Sequence, residues 1–246
     1  MNQQALVGPL FEQLADPFTA EALFDQMPDT VFFIKNVDGR YVCVNRTLVT
    51  RTGKSRRSEL VGCTPSEVFG DDLGKEYEAQ DRAVIRSGQQ LLDQLELHVY
   101  QPRELGWCLT SKLPLLGKDG KAIGVVGVSR DLTMPDVASI EFQPIADAVA
   151  YAEARLVNPP SITKLAEIAS LSVYQLDRRM KRLFGLSTGQ WLLKTRIDRA
   201  SRQLLKTSLP VAEIALECGY ADQSAFTRQF RRTTGRTPSA FRSMRE

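Results

Sequence analysis

The sequence predicts an α+β domain with a five-stranded antiparallel sheet and helices, followed by an all-α domain with two helix-turn-helix units. Three observations lead there. A chain of 246 residues suits two domains of roughly 100–150 residues each. Charge divides unevenly: residues 156–246 carry 16 Lys/Arg and 7 Asp/Glu, a net of +9, while residues 1–155 carry 16 and 22, a net of −6. Apolar residues alternate in the strand-like runs of the first half but recur at helical spacing through the second. With 43% hydrophobic and 25% charged residues the composition is that of a soluble globular protein.

The opening stretch, MNQQALVGPLFEQLADPF, has neither the basic start nor the long apolar run of a signal peptide. No apolar run reaches the roughly 18 residues of a membrane span. A cytoplasmic protein with no membrane partner is the expectation. TVFFIKN and YVCVN, parted by Asp38-Gly39, then read as a β-hairpin. Helical material runs from Arg46 to about Ser87. Three strand candidates follow, QLLDQLELHVYQ, GWCLTSKLPLLG and AIGVVGVSRDLT, with turns at Pro102–Gly106 and at Lys118-Asp119-Gly120. The order β-β-helices-β-β-β predicts the antiparallel sheet with helices on one side. Strand alternation puts Leu95, Leu97 and Val99 on one face and Glu96, His98 and Tyr100 on the other; Leu113 and Leu115 likewise oppose Cys108, Thr110 and Lys112.

From Ser161, an N-cap candidate, Leu165, Ala166, Ile168 and Ala169 recur at helical spacing. After a break at Ser170–Ser172, Leu176, Met180, Leu183 and Phe184 mark a second amphipathic helix, whose other face shows Tyr174, Asp177, Arg178 and Lys181. Two short helices joined by a tight turn form a helix-turn-helix. The plan recurs after Pro210, which suits a first helical turn. Ile214, Ala215 and Cys218 form one stripe, and Gly219 can take the positive φ of a tight turn. Phe226 and Phe230 face inward, while Gln223, Ser224, Thr227 and Arg228 point away. Between the copies, Ser187 and Gln190 fit a capping box. Trp191, Leu192, Ile197, Ala200, Leu204 and Leu205 then supply the stripe of a helix of roughly 18 residues, about 27 Å long. Such a strut could hold two recognition helices about 34 Å apart, one turn of DNA.

The run ALECGYADQSAFTRQFRRTTGRTPSAFR, residues 215–242, resembles the DNA-binding domain of AraC-family regulators. The resemblance covers about residues 141–246, with IADAVAYAEARL as the first helix. It implies that Tyr174, Asp177 and Arg178 approach base edges in the first unit, and Gln223, Ser224, Thr227 and Arg228 in the second. It further implies an activator that works with RNA polymerase. The chemistry agrees: Arg pairs bidentately with guanine, Gln with adenine, Asp accepts from cytosine, and Thr or Tyr packs on a thymine methyl. Lys181, Arg182, Arg231, Arg232 and Arg236 lie at helix ends and are expected to hold phosphates. Ser170 departs from the family, standing where glycine is common, and Met180 stands where Phe is frequent.

VFFIKNVDGRYVCVN and LPLLGKDGKAIGVVGVSRDLT resemble a PAS domain over about residues 18–133. That implies a sensory fold around a small cavity, and a homodimer. Apolarity alone would turn the leucines inward. Trp107 matches a tryptophan often found at this strand position in PAS domains, and that argues the reverse. It places His98, Cys108 and Thr110 inside, with Phe33 and Ser129, and leaves the leucine face to an N-terminal helix or a second subunit. A small polar or anionic effector follows; a PAS domain serving only as a dimerisation or protein-docking module is the alternative. Residues 134–160 form the linker and the first helix of the reader, punctuated by Pro135, Pro144 and Pro159-Pro160.

No cofactor is expected. VGCTPSEVFG replaces the cysteine motif of the flavin-binding members, and DDLGKEYEAQDRAVIRSG has no histidine to ligate haem. The four cysteines are far apart and His98 is the single histidine, so no metal site is expected either. No P-loop, G-x-S-x-G or H-E-x-x-H motif is present, and no enzymatic activity is expected.

Overall fold

A computed structural model describes residues 11–15, 17–100, 104–132 and 143–244. The part of the expected linker from Met134 to residue 142 lies outside the described residues, as do residues 102–103 of the turn expected at Pro102–Gly106. The first domain runs α1 (Glu21–Phe24), β1 (Thr30–Asn36), β2 (Tyr41–Val44), α2 (Arg46–Arg51), α3 (Pro65–Phe69), α4 (Asp71–Ser87), β3 (Leu91–Tyr100), β4 (Glu104–Leu116) and β5 (Ala122–Asp131). The five strands form one sheet in the order β2-β1-β5-β4-β3, and every pair is antiparallel. β1 is buried along most of its length because it lies between β2 and β5 with both faces covered.

Local chemistry sets the helix ends. The Asn45 side chain accepts from the Leu48 amide at the start of α2, and Thr64 and Glu67 close a capping box on α3. Gly88 ends α4 in the left-handed conformation. α4 lies over the sheet face that carries Lys35, Glu96 and Lys112, for Asp81 binds both lysines and Gln80 binds Glu96.

The opposite face is covered differently from the expectation. Among the described residues, it is the second domain that packs on it. Leu95, Leu97, Trp107 and Leu109 share one buried apolar cluster with Trp191, Ile197, Phe226 and Phe230. Trp107 Nε1 donates to Asp198 at 2.7 Å, and the Gln190 side chain donates to the Asp93 carbonyl at 2.8 Å. Asp93 sits at φ 48° where β3 bulges, which turns that carbonyl outward.

The second domain comprises α5 (Gln143–Glu153), α6 (Ile162–Ile168), α7 (Val173–Phe184), α8 (Thr188–Lys206), α9 (Val211–Glu217), α10 (Gln223–Thr234) and α11 (Pro238–Arg242). α6–α7 and α9–α10 are the repeated units. Ser161 caps α6, Ser172 and Gln175 box α7, and Asp222 caps α10 through the Ala225 amide. α8 has 19 residues, about 28 Å at 1.5 Å per residue, and starts at the Ser187–Gln190 capping box. The two tight turns differ in one respect. Gly219 takes φ 73°, and a Cβ there would lie 2.4 Å from the Leu156 carbonyl oxygen. At the equivalent turn Ser170 takes φ 54°, a left-handed conformation for a residue with a side chain.

Candidate nucleic-acid interface and internal cavity

On α10, Phe226 and Phe230 are fully buried, which fixes the opposite face outward. Gln223, Ser224 and Arg228 on that face are exposed, and Thr227 is half-buried beside them. α7 repeats the arrangement with Leu176 and Met180 inside and Tyr174 and Arg178 exposed; Tyr174 is 74% exposed. Asp177 is turned elsewhere. Its carboxylate accepts from the Thr188 amide at 2.8 Å and the Thr188 hydroxyl at 3.2 Å, and pairs with Lys181 at 3.4 Å. In this conformation Asp177 holds the start of α8, where a carboxylate favours the helix dipole.

Three of the five cations expected on phosphates face the first domain. Arg231 pairs with Glu76 at 3.3 Å, and Arg232 donates to the Gln94 side chain at 3.3 Å. Arg236 enters an internal cavity of about 320 Å³ between α4, the inner sheet face and the end of the second domain. Lys181 and Arg182 remain on exposed surface.

Four of the expected cavity residues, Phe33, His98, Thr110 and Ser129, line this space. Cys108 is fully buried, with its sulfur 3.5 Å from His98 Nε2. The wall is a connected polar network. Thr110 donates to Glu96 at 2.6 Å and shares a 2.8 Å hydrogen bond with Ser129; His98 Nε2 lies 3.1 Å from Glu96, and Gln80 donates to Glu96 at 2.8 Å. Burial opposes the charge on Glu96, yet the His98 hydrogen bond and charge, with Lys112 and Thr110, hold its carboxyl down at about 2. Burial likewise works against the His98 imidazolium, but the Cys108 sulfur and the Glu96 carboxylate raise it to about 10. Glu96, His98 and Cys108 are also the group of possible ligand atoms, among the described residues, that lie within 4.8 Å of one another, and each is engaged in this network.

Beside it, Lys35 and Lys112 reach the same carboxylate, Asp81, at 2.6 and 2.7 Å, all three nearly inaccessible to solvent. Burial lowers Lys35 to about 8, with Asp81 offsetting part of the effect and Lys112 adding to it. Sequence reasoning did not single out Lys35 or Asp81, expected Arg236 on a phosphate rather than at the cavity, and named Glu96 and Lys112 only as face positions. Alternation held the signal for the two lysines: Lys35 is two residues from Phe33, and Lys112 two from Thr110, on the same faces. Asp81 and Arg236 had no comparable local cue.

The profile described as "Helix-turn-helix domain" matches residues 165–244, and that described as "PAS fold" matches residues 24–136. The regulatory protein SoxS of Escherichia coli K12 is 31% identical over 98 residues, which span 40% of this chain and 92% of SoxS. The chain belongs to the AraC family of transcriptional regulators. A further relative of the AraC-family chain is the probable transcriptional regulator LumQ of Photobacterium leiognathi, 27% identical over 114 residues; the match spans 46% of each protein, less than half the length of LumQ. Among solved structures, the DNA-binding domain of AdpA in complex with a target DNA shares 35% identity over 41% of this chain and 91% of that one, with a TM-score of 0.39. By the two matched profiles and its likeness to SoxS, this AraC-family member is a DNA-binding transcriptional regulator with a PAS-like sensor domain. No helix among its described residues is long and apolar enough to cross a membrane.

Proposed function

We propose that the protein is a cytoplasmic activator whose two helix-turn-helix units read adjacent major grooves and whose PAS-like cavity senses a small molecule. The observation that carries the reading is α10: a capped helix seated on two buried phenylalanines, with Gln223, Ser224 and Arg228 free on its outer face. Side chains of these types discriminate bases at about 1–3 kcal/mol per good bidentate contact. Tyr174 and Arg178 do the same from α7, with Asp177 joining them only if it leaves Thr188. Lys181, Arg182, Arg231, Arg232 and Arg236 supply phosphate contacts once the sensor releases the last three. Effector binding acts on that release. Exposed Phe11, Phe18 and Leu23 support a homodimer formed through the first domain. RNA polymerase is the partner at the promoter.

Selection of duplexes from a random pool by the full chain tests the reading. Arg228→Ala should cost about 1–3 kcal/mol at one base position, whereas Arg231→Ala should weaken all sequences alike and lower the salt slope. Equal loss on selected and random DNA for both variants would reject the division of labour. Native mass spectrometry separates sensing, with a stoichiometric bound small molecule, from an empty dimer.

A further inference from the structure

We infer that the cavity takes a small organic carboxylate with a compact apolar body, its charged end held by Lys112 and by Arg236, so that the ligand joins the sensor to the reader. The inference rests on the sensing role proposed above and names the ligand's chemistry and its point of action. A cavity of about 320 Å³ is at the small end of ligand pockets, which run roughly 300–1,000 Å³.

Charge selects the ligand class. Lys35 and Lys112 share the single carboxylate of Asp81, all three within 3% exposure, so the triad holds one buried positive charge in excess. Glu96, the other buried carboxylate of the wall, is already engaged by Thr110, His98 and Gln80. Arg51 also lines the cavity, but it is paired with Asp131. Arg236 then brings a second cation to the cavity wall: the residue is half-buried, but its Nε is buried and has no hydrogen-bond partner. A buried charge without counter-charge and a buried donor without a partner are both costly, and an entering anion relieves the excess charge of the triad and the Arg236 Nε–H together.

Shape narrows the class further. A guanidinium with a free Nε–H presents parallel donors suited to the two oxygens of a carboxylate. The remaining lining, including Phe33, Leu48, Val68, Phe69 and Tyr77, is apolar or aromatic and suits a compact hydrocarbon or ring.

The position of Arg236 explains how the ligand would be felt by the reader. It follows Gly235, the left-handed cap of α10, and precedes Thr237, the N-cap of α11; its backbone is tied to Thr234 on both sides. Met244, just beyond α11, lines the same cavity. An anion gripped by Arg236 therefore pulls on the end of the recognition helix.

The test uses the full-length chain with matched acid and amide pairs: benzoate with benzamide, phenylacetate with phenylacetamide, hexanoate with hexanamide. At least one acid should raise the melting temperature by about 5 °C at roughly 100 times its Kd, and its amide should bind about tenfold more weakly or worse. Arg236→Met should weaken that acid about tenfold and leave the amide unchanged, and Arg236→Lys should recover part of the loss. Should no acid bind, or every amide match its acid, the anion assignment fails. Should Arg236→Met fold and bind the acid as the parent does, the bridge to the reader fails. Duplex selection is run without any acid, so a chain that still selects a site yet ignores the whole panel sinks this inference and leaves the DNA reading standing.

Discussion

Trp107→Ala probes the joint between the two domains. The indole belongs to β4, but its surroundings belong largely to α8: Nε1 donates to Asp198 at 2.7 Å, and the Lys194 ammonium stands 5.4 Å from the ring centroid. The ring is 9% exposed and clusters with Leu95, Leu97 and Leu109 against the reader. Truncating a buried tryptophan costs about 3–5 kcal/mol. Asp198 keeps its 2.7 Å contact to Lys194, so no carboxylate is stranded and the lower part of that range applies. At about 2–4 °C per kcal/mol for a chain of this size, calorimetry should show a loss of roughly 6–12 °C or a split into two transitions. DNA binding should respond in the opposite sense. Undocking frees Arg231 from Glu76 and Arg232 from Gln94. Two further phosphate contacts steepen the logarithmic salt dependence by about 1.8. Fluorescence anisotropy of a random duplex across a KCl series measures that slope. A melting loss below about 3 °C would refute the account of the joint; an unchanged slope in a clearly destabilised variant would refute the occupation of those arginines by the sensor.

Two further perturbations follow from local geometry and charge. Ser170→Gly removes a side chain from a left-handed turn and should stabilise the chain by about 1 kcal/mol, whereas Gly219→Ala forces a Cβ to 2.4 Å from the Leu156 carbonyl oxygen and should destabilise it by more than that. Urea titrations that gave the two changes the same sign would contradict this. The pH profile should carry the mark of His98. Its folded value of about 10 exceeds the ordinary 6.5, so its contribution is whole below pH 6.5 and is lost as pH rises toward 10. Lys35 runs the other way: at about 8 against 10.5, its burial penalty is full below pH 8 and fades toward 10.5. The melting temperature should therefore fall between pH 6.5 and 8 and level off above. Glu96, at about 2 against 4.5, contributes above pH 4.5 and loses its contribution as pH falls toward 2. His98→Gln should abolish the fall between 6.5 and 8; a variant that kept it would assign the slope to another group.

The faces of β3 and β4 were legible because side chains in a strand alternate without exception of chemistry: once Trp107 was set outward, Leu95, Leu97 and Leu109 went with it, and His98, Cys108 and Thr110 faced inward. The repeated helical units were legible for a similar reason, since each buries a periodic stripe. What covers the leucine face was not legible, because its partners lie far along the chain: Asp198 is 91 residues from Trp107. Arg231, Arg232 and Arg236 show the physical limit most clearly. A cation at a helix end has the same local sequence whether it meets a phosphate, Glu76 or a cavity; only tertiary placement decides. Asp177 carried the same ambiguity, since a carboxylate outside one helix can accept from cytosine or cap the helix that follows. In the proposed function the ambiguity at the arginines is also the basis of regulation. Arg231 cannot hold Glu76 and a phosphate with the same donors, and Arg236 cannot line the cavity while reaching the duplex. Whatever strengthens the sensor's hold on these three side chains must weaken DNA binding by the same free energy, and DNA must in turn weaken that hold. A carboxylate bound to Arg236 in the docked form therefore works against DNA. For the protein to act as an activator that responds to such an acid, the ligand must draw Arg236 into a second arrangement in which Arg231 and Arg232 are released.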